Sequence, residues 1–233
     1  MSSAAALRLE AGLQQLGFEN AVALAERLLQ YADLLLAAGK RTNLVGAKNV
    51  DELIAAHFLD SLAPLSGLSL PEPIVDLGSG AGLPGIPAAL AWPQRHFVLL
   101  EPRSKRAEFL TQAVAALGIA NVEVHKTSAE STGPGSWRGR AGTVLARALA
   151  KPARTIELAL PMLKPRGLAV LYQGRASAPS TAEQAAIRGL GGRLLEARRV
   201  VVPYLDAQRH VWLIEGRDSA KGGRRGARGP RRS

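Results

Sequence analysis

The sequence predicts an α/β fold in which a mixed, doubly wound sheet of about seven strands follows a helical region. From Ile74 onward, short apolar runs alternate with amphipathic segments, as strands alternate with helices. A turn rich in glycine follows the first apolar run, where such sheets bind ligands. The last two apolar runs, 193–203 and 210–215, are close enough to form a hairpin, which makes the sheet mixed.

Residues 1–70 are predicted to be a helical extension packed on the sheet domain. Leucines recur at close to a helical period over 4–38, with Gly17 as a break. A pattern typical of a capping box begins at Asn49 and predicts a second helical segment that ends near residue 65.

One face of that second segment carries three polar side chains. His57, Asp60 and Ser61 are spaced i, i+3 and i+4, so a regular helix presents them together. On spacing alone, we interpret them as a hydrogen-bonded stripe on the protein surface.

The sheet domain is predicted to cover residues 71–216. Glycine, proline and polar residues end each periodic run, and Ser104 is predicted to cap the helix after the second strand. The predicted strands are 74–77, 96–100, 121–125, 143–149, 167–172, 193–203 and 210–215, and the helices after the glycine turn include 104–118, 153–163 and 181–190.

The glycine turn is predicted to bind a cofactor. Gly78, Gly80 and Gly82 allow positive φ and let backbone amides approach a ligand. The spacing Gly80-x-Gly82-x-x-Gly85 matches the dinucleotide fingerprint of nicotinamide and flavin enzymes. Asp76 would repel a pyrophosphate but attract the cationic amino acid end of S-adenosyl-L-methionine. The sequence therefore favours S-adenosyl-L-methionine and leaves an oxidoreductase as the alternative.

Three further segments are predicted to reach the same edge of the sheet. Glu101 ends the second strand, where an acidic residue usually accepts hydrogen bonds from the hydroxyls of an adenosine ribose. Residues 127–130 follow the third strand and are placed to contact the edge of an adenine with polar groups. Arg147 lies near the carboxyl end of the fourth strand, so we predict that it is functional.

Composition narrows the chemistry. The chain of 233 residues has no cysteine, which excludes disulfides, thiolate metal sites and a cysteine nucleophile, and no metal site is predicted. Its first residues show no secretory pattern, and no apolar run is long enough to span a membrane. We therefore expect a cytoplasmic protein without membrane contact. Because no repeat or heptad indicates assembly, we expect a monomer.

Positive charge is concentrated near the C-terminus. Of a formal net charge of +11, residues 217–233 contribute +6, with seven basic residues against one acidic residue. This glycine-spaced tail is predicted to be disordered and to follow the phosphate backbone of a nucleic acid. A solvated tail without a specific role is the alternative.

Several segments together resemble one family, the ribosomal RNA small subunit methyltransferase G family, also called GidB. The similarity runs from about residue 20 to 216, and the Gly-Leu-Pro-Gly-Ile-Pro ending of the turn is among its most specific parts. The resemblance implies a Rossmann-like class I methyltransferase. Such an enzyme uses S-adenosyl-L-methionine to methylate N7 of one guanine, guanine 527, of 16S ribosomal RNA in the small ribosomal subunit. The matching segments are Thr42–Leu44, His57–Ser61, Asp76–Pro87, Lys105–Leu110, Ala146–Ala148 and Arg209–His210.

The resemblance also implies individual site residues. Positions that match the family's cofactor site are Gly78, Leu83, Ala129, Glu130 and Arg147. The strand and turn pattern adds Asp76, Gly80, Gly82 and Glu101. Arg147 is further predicted to line the site near the transferring methyl group, as a catalytic residue. Candidates for RNA contact or for ordering the rim of the site are His57, Asp60, Lys105, Arg106, Arg209 and His210.

Two positions depart from the family pattern. Gln173 stands where a lysine is common after the fifth strand, and Leu149 stands where a phenylalanine is common after Arg147-Ala148. Loss of the lysine changes the charge expected near the target base. A ribosome-binding module that has lost methyl transfer is therefore a second alternative, suggested by Gln173.

The residue types fit methylation of a ring nitrogen. Guanine N7 has a lone pair and no proton, so an in-line displacement there needs no general base. Methylation of carbon 5 of a pyrimidine needs a cysteine nucleophile, which this chain lacks. Methylation of exocyclic amines usually shows Asn/Asp-Pro-Pro-aromatic after the fourth strand, where this chain has residues 146–149 instead.

Overall fold

The structure is a computed structural model that describes residues 3–39, 44, 46–47, 49–131, 136–174 and 178–216. The C-terminal tail 217–233, singled out in the sequence, and residues 42–43 of the matching segment Thr42–Leu44 lie outside the described residues. Within the described ranges, a seven-stranded mixed sheet carries helices on both faces, which confirms the predicted fold class.

Seven strands form the sheet, close to the positions predicted. They are β1 Ile74–Leu77, β2 Phe97–Leu100, β3 Val122–His125, β4 Ala141–Arg147, β5 Leu163–Gln173, β6 Arg193–Val200 and β7 Arg209–Glu215. Their order is β3-β2-β1-β4-β5-β7-β6; β1 to β5 are parallel, and β7 runs antiparallel to its neighbours β5 and β6. The order changes direction at β1, and ligands bind at such a switch point in doubly wound sheets.

The chain begins with two long helices. Helix α1 spans Ser3–Gln15 and helix α2 spans Ala21–Gly39. Gly17 lies between them with φ of +84°, which confirms the predicted break. Leu13 and Leu28 are fully buried, so the leucine-rich faces form part of the core.

The second helical segment is composite. It consists of helix α3 Val50–Leu53, a π-helical turn Ile54–Leu59 and helix α4 Asp60–Leu62. The side chain of Asn49 accepts a hydrogen bond from the backbone N of Glu52 at 2.9 Å, as the capping pattern predicts. The sequence pattern does not predict the π-helical turn, which alters the direction of the side chains that follow it.

Four more helices pack against the sheet, and one boundary differs from the prediction. They are α5 Gly85–Ala91, α6 Ser104–Ala116, α7 Pro152–Ala159 and α8 Thr181–Gly189. The prediction that Ser104 caps α6 is wrong, because Ser104 is already helical and no side chain caps that end. Arg103 occupies the boundary with extended backbone (φ −80°, ψ 116°), since its amide is bound by Glu101 at the end of β2.

Alternate strand residues face two hydrophobic cores. On β2, Phe97 and Leu99 belong to the core shared with α1, α2, α5 and α6, whereas Val98 and Leu100 belong to the core shared with α7 and α8. The N-terminal helices therefore cover one face of the sheet. No helix within the described ranges combines the length and apolar character needed to cross a bilayer.

Candidate active site

The glycine turn that follows β1 needs glycine for both conformation and space. Gly78, Gly80 and Gly82 have φ of +71°, +58° and +83°. A Cβ on Gly78 would lie 2.4 Å from Leu149 Cδ1, and one on Gly82 would lie 2.7 Å from the hydroxyl oxygen of Tyr31. A side chain at either position would displace the turn from its neighbours.

Asp76 places a carboxylate with one unpaired oxygen beneath this turn. Its side chain lies within β1 and the residue is 1% exposed. Oδ2 accepts a hydrogen bond from Gly85 N at 2.9 Å, whereas Oδ1 is buried and has no hydrogen-bond partner in the described part of the chain. The Ser79 hydroxyl donates to the Asp76 carbonyl oxygen at 2.9 Å, and it also lies close enough to the carboxyl group to lower its pKa.

The environment of Asp76 fits a cationic ligand. Burial raises the pKa of its carboxyl group to about 7, although the hydrogen bond from Gly85 opposes this shift. Leaving a buried carboxylate oxygen unpaired is unfavourable, and an ammonium group would satisfy it. Asp76 is therefore suited to a cationic group, and its contact with the amino acid end of S-adenosylmethionine stays a prediction.

Glu101 is the second buried carboxylate of this edge, and both of its oxygens are engaged. It is 3% exposed, its Oε2 accepts from Gly80 N at 2.9 Å, and its Oε1 accepts from Arg103 N at 2.9 Å. The carboxylate thus ties the glycine turn to the start of α6. Each oxygen keeps lone-pair capacity for a ribose hydroxyl, which stays a prediction. Leu83, another predicted cofactor contact, is half-buried directly after the turn.

A cavity of about 290 Å³ lies beside the turn. Gly78, Ala129 and Glu130 line it, and Leu149 adds an apolar wall. At its rim, Arg154 Nη2 donates to Glu130 Oε1 at 2.9 Å. The structure therefore brings three of the predicted cofactor residues together around a slot with apolar walls, which suits a planar base.

Arg147, at the end of β4, is held by the helical segment across the sheet edge. Its Nη2 lies 2.8 Å from Asp60 Oδ2 and donates to the Ala56 carbonyl oxygen at 2.8 Å. Its Nη1 donates to Ser61 Oγ at 3.0 Å and to the His57 carbonyl oxygen at 3.3 Å. Irregular helical turns often occur at functional sites, and the π-helical turn supplies both carbonyl groups here.

Asp60 pairs with two arginines. In addition to Arg147, Arg209 Nε donates to Asp60 Oδ1 at 2.7 Å. The carboxylate side chain is 4% exposed, whereas the arginine side chains are 17% and 29% exposed. One carboxylate thus faces two guanidinium groups, so the cluster keeps a net positive charge.

The interpretation of His57, Asp60 and Ser61 as a surface stripe is wrong. Asp60 is 3% exposed and Ser61 is fully buried, because both face Arg147 of β4. His57 is half-buried, and burial followed by the positive charge of Arg147 lowers its pKa to about 4. Its imidazole is therefore neutral near pH 7 and adds no positive charge to the rim.

Two tyrosines of the site were missed in the sequence. The Tyr31 hydroxyl donates to the carbonyl oxygen of Ala81 in the glycine turn, and its ring stacks on Phe58 with centroids 5.9 Å apart. The Tyr172 hydroxyl donates to the Ser61 carbonyl oxygen at 2.6 Å. The signal available in the sequence was a tyrosine within the leucine-rich pattern of α2. Such a residue is expected to be buried, as Tyr31 is, and a buried hydroxyl needs a hydrogen-bond partner.

Five of the six predicted RNA-contact residues fall into two groups, and the sixth, His57, is half-buried in the π-helical turn. Asp60, Arg209 and His210 line a cavity of about 310 Å³ together with Arg147 and Gln173. Gln173 and His210 meet there because they are register partners on β5 and β7. These placements leave their contact with RNA as a prediction.

Lys105 and Arg106 form the other group. They lie on the first turn of α6, beside Arg103, and line a different and wider groove of about 950 Å³. Lys105 and Arg106 therefore lie beside the glycine turn, whereas Asp60, Arg209 and His210 lie at the end of β4.

Comparison with solved structures supports the fold. The chain resembles P. horikoshii TYW2, solved in complex with MeSAdo, with a TM-score of 0.52 and 15% identity, over 74% of this chain and 64% of that one. It also resembles TrmN from Thermus thermophilus, with a TM-score of 0.50 and 19% identity, over 68% of this chain and 48% of that one.

Comparison with sequences is more specific. Two proteins called ribosomal RNA small subunit methyltransferase G are similar along most of their length. The one from Nitrosococcus oceani is 37% identical over 209 residues, covering 90% of this chain and 94% of its own. The one from Alkaliphilus metalliredigens is 33% identical over 215 residues, covering 89% and 88%. The model of the GidB family, rRNA small subunit methyltransferase G, matches residues 24–197. This range includes the glycine turn and the ion pair between Asp60 and Arg147. The chain therefore belongs to the rRNA small subunit methyltransferase G family.

Proposed function

We propose that this S-adenosylmethionine-dependent methyltransferase of ribosomal RNA transfers a methyl group to N7 of one guanine, guanine 527 in the family, of 16S ribosomal RNA. Family membership supports the class of substrate. The structural observation that carries the proposal is the buried Oδ1 of Asp76 below the glycine turn, which has no hydrogen-bond partner among the described residues. This oxygen suits a cationic amino acid end and would repel a pyrophosphate, so it favours S-adenosylmethionine over a dinucleotide.

Three regions of the edge would hold the cofactor. When bound, S-adenosylmethionine supplies a methyl group on a positively charged sulfur. Asp76 pairs with the ammonium group, and Glu101 accepts hydrogen bonds from the ribose hydroxyls. The slot lined by Gly78 and Ala129 takes the adenine. The two carboxylates have lone pairs that the described residues leave unused, and the slot has space for a base.

The transfer itself asks the protein for alignment. The lone pair of guanine N7 forms the new N–C bond as the C–S bond breaks, and no proton leaves the base. The guanidinium of Arg147 has only N–H donors and no acceptor atom. Its four contacts with the helical segment hold it rigidly, so we infer that Arg147 orients the base at the rim and takes no part in proton transfer.

The positive charge of the chain suits a partner that carries phosphates. We infer that the partner is the small ribosomal subunit, bound by a monomeric cytoplasmic enzyme. The seven basic residues of 217–233 would add phosphate contacts that do not depend on sequence.

A transfer assay tests the proposal. Small subunits that lack the modification are incubated with the protein and S-adenosylmethionine carrying a labelled methyl group, and the nucleosides are separated by mass. Label in 7-methylguanosine is expected. Label in another nucleoside would overturn the position of transfer. Cofactor binding without transfer would instead support a binding module, and NADH binding without S-adenosylmethionine binding would support an oxidoreductase.

A further inference from the structure

A groove of about 950 Å³ separates the C-terminal half of α2 from α6. Its floor is apolar and includes Leu34 from α2 together with Phe109 and Ala113 from α6. Its rim carries Arg103 and Lys105, which are exposed, and Arg106, which is half-buried. The groove thus combines a flat apolar surface with positive charge. We call it the α2–α6 groove.

Among the residues that the structure describes, no carboxylate pairs with the three basic side chains of the rim. They also lie at the N-terminal end of α6, where the helix dipole disfavours cations and where the first turn has no acidic residue. These charges therefore work against local helix stability, and an external polyanion would compensate them.

The α2–α6 groove begins beside the cofactor turn. A guanidinium nitrogen of Arg106 lies 3.7 Å from the position of a Cβ on Gly80. The amide of Arg103 is bound by Glu101, which also binds the Gly80 amide. The rim and the turn are thus one connected unit, and the groove opens next to the turn.

We propose that the α2–α6 groove binds an unpaired nucleotide of the RNA strand next to the target guanine. Its base would stack against Phe109 and the neighbouring apolar floor, and its phosphates would lie against Lys105 and Arg106. Proteins commonly bind splayed single-stranded bases on aromatic and apolar surfaces bordered by cations. This inference rests on the proposed function, because it takes the substrate to be RNA.

Two substitutions separate the charge of the rim from the space of the groove. Lys105→Glu reverses one exposed charge, and Ala37→Phe places a ring on the exposed part of the α2 wall without changing any charge. Arg188→Glu is the matched control, since Arg188 is exposed on α8, which packs against the opposite face of the sheet. Equilibrium binding of small subunits to the full chain is measured for each variant at several salt concentrations, alongside S-adenosylmethionine binding and thermal unfolding.

Both groove variants are expected to weaken subunit binding about tenfold, with cofactor affinity unchanged and no loss of thermal stability. Lys105→Glu should also make the negative slope of log affinity against log salt shallower by about one unit. Arg188→Glu should leave both the affinity and the slope unchanged. A loss with Lys105→Glu but none with Ala37→Phe would overturn occupancy of the groove. Free guanosine monophosphate should not bind the wild-type protein measurably. If it does bind, and Ala37→Phe abolishes that binding, the groove is a site for a free nucleotide and the assignment to an RNA strand is overturned.

Subunit binding is measured without methyl transfer, so its result does not depend on the reaction. Wild-type protein that binds subunits through the groove but places no label on guanine N7 would contradict the proposed function alone. Wild-type protein that labels guanine N7 with groove variants that bind normally would contradict the groove alone.

Discussion

The sheet and the N-terminal helical region contribute opposite kinds of group to the site. The sheet supplies Asp76, whose Oδ1 has no hydrogen-bond partner in the described ranges, and a turn whose glycines leave room for a ligand. The helical region supplies Asp60, whose two oxygens are both paired with arginines of the sheet, and Tyr31, whose hydroxyl is bound to the turn. The sheet keeps a polar group available for a ligand, whereas the polar groups of the helical region bind to the sheet and hold it in place.

This difference separates binding from positioning. A change at Asp76 should alter cofactor affinity with little loss of stability, because its Oδ1 has no hydrogen-bond partner among the described residues. Changes on the helical side should alter stability or loop geometry, because they leave protein groups unpaired.

The largest effect is expected for Asp60→Ala. This change leaves Arg147 and Arg209 without their shared carboxylate, and removing one partner from a buried ion pair costs about 3 kcal/mol of unfolding free energy. Urea unfolding measures the loss. Glu157→Ala is the control, because its ion pair with Arg154 is half exposed, so a loss of less than about 1 kcal/mol is expected. Equal losses in both variants would remove the proposed contrast between the regions.

On the sheet side, Asp76→Asn should lower S-adenosylmethionine affinity by about 10-fold to 100-fold, the usual range for a lost hydrogen bond to a charged group. The amide oxygen of asparagine can still accept from Gly85 N, so the free energy of unfolding should not fall. Calorimetric titration and urea unfolding test the two halves of this prediction. Unchanged affinity would show that the cofactor's amino acid end lies elsewhere.

The pH dependence of cofactor binding sharpens the same point. The pKa of Asp76 is raised to about 7, so below that pH an ammonium ligand must displace a proton from the carboxyl group. Affinity should therefore fall as the pH drops below 7, approaching tenfold per pH unit, and should be nearly level between pH 7 and the pKa of the cofactor's own amino group. The ratio of wild-type to Asp76→Asn affinity, measured from pH 5.5 to 7.5, isolates the effect. A constant ratio would contradict it.

The stability of the cofactor-free protein should respond in the opposite sense. The unfolded chain ionises Asp76 near pH 4, whereas the folded protein holds that proton until about pH 7. The folded state thus binds more protons across this window, so the contribution of Asp76 to stability is lost as the pH rises through it. Asp76→Asn should remove this slope.

The smallest effect is expected for Tyr31→Phe. The variant keeps the ring stacked on Phe58 but leaves the Ala81 carbonyl oxygen without the hydroxyl, a loss of about 1 kcal/mol. If Tyr31 positions the turn, KM for S-adenosylmethionine should rise about fivefold while kcat is unchanged. Tyr204→Phe, at an exposed tyrosine, should leave both constants unaltered. A fall in melting temperature without a change in KM would assign Tyr31 a structural role alone.

Local patterns predicted most of the sheet side. The glycine spacing, Asp76 and Glu101 were all found from the sequence, because strand ends and tight turns depend on residues that are near one another in the chain. The helical side was predicted less well. Regular helical spacing placed Asp60 and Ser61 on the surface, whereas a π-helical turn directly before them and the packing of β4 bury both.

The sequence by itself determined the α/β class, the succession of strands and helices along the chain and the position of the glycine turn, since these follow from apolar periodicity and from the glycine spacing. Only the tertiary structure decided which charges meet. Arg209 is 149 positions from Asp60, and Arg147 is 86 positions from Ser61. No periodic pattern spans such separations, and these side chains meet because the burial of apolar faces brings β4, β7 and the helical segment to one edge.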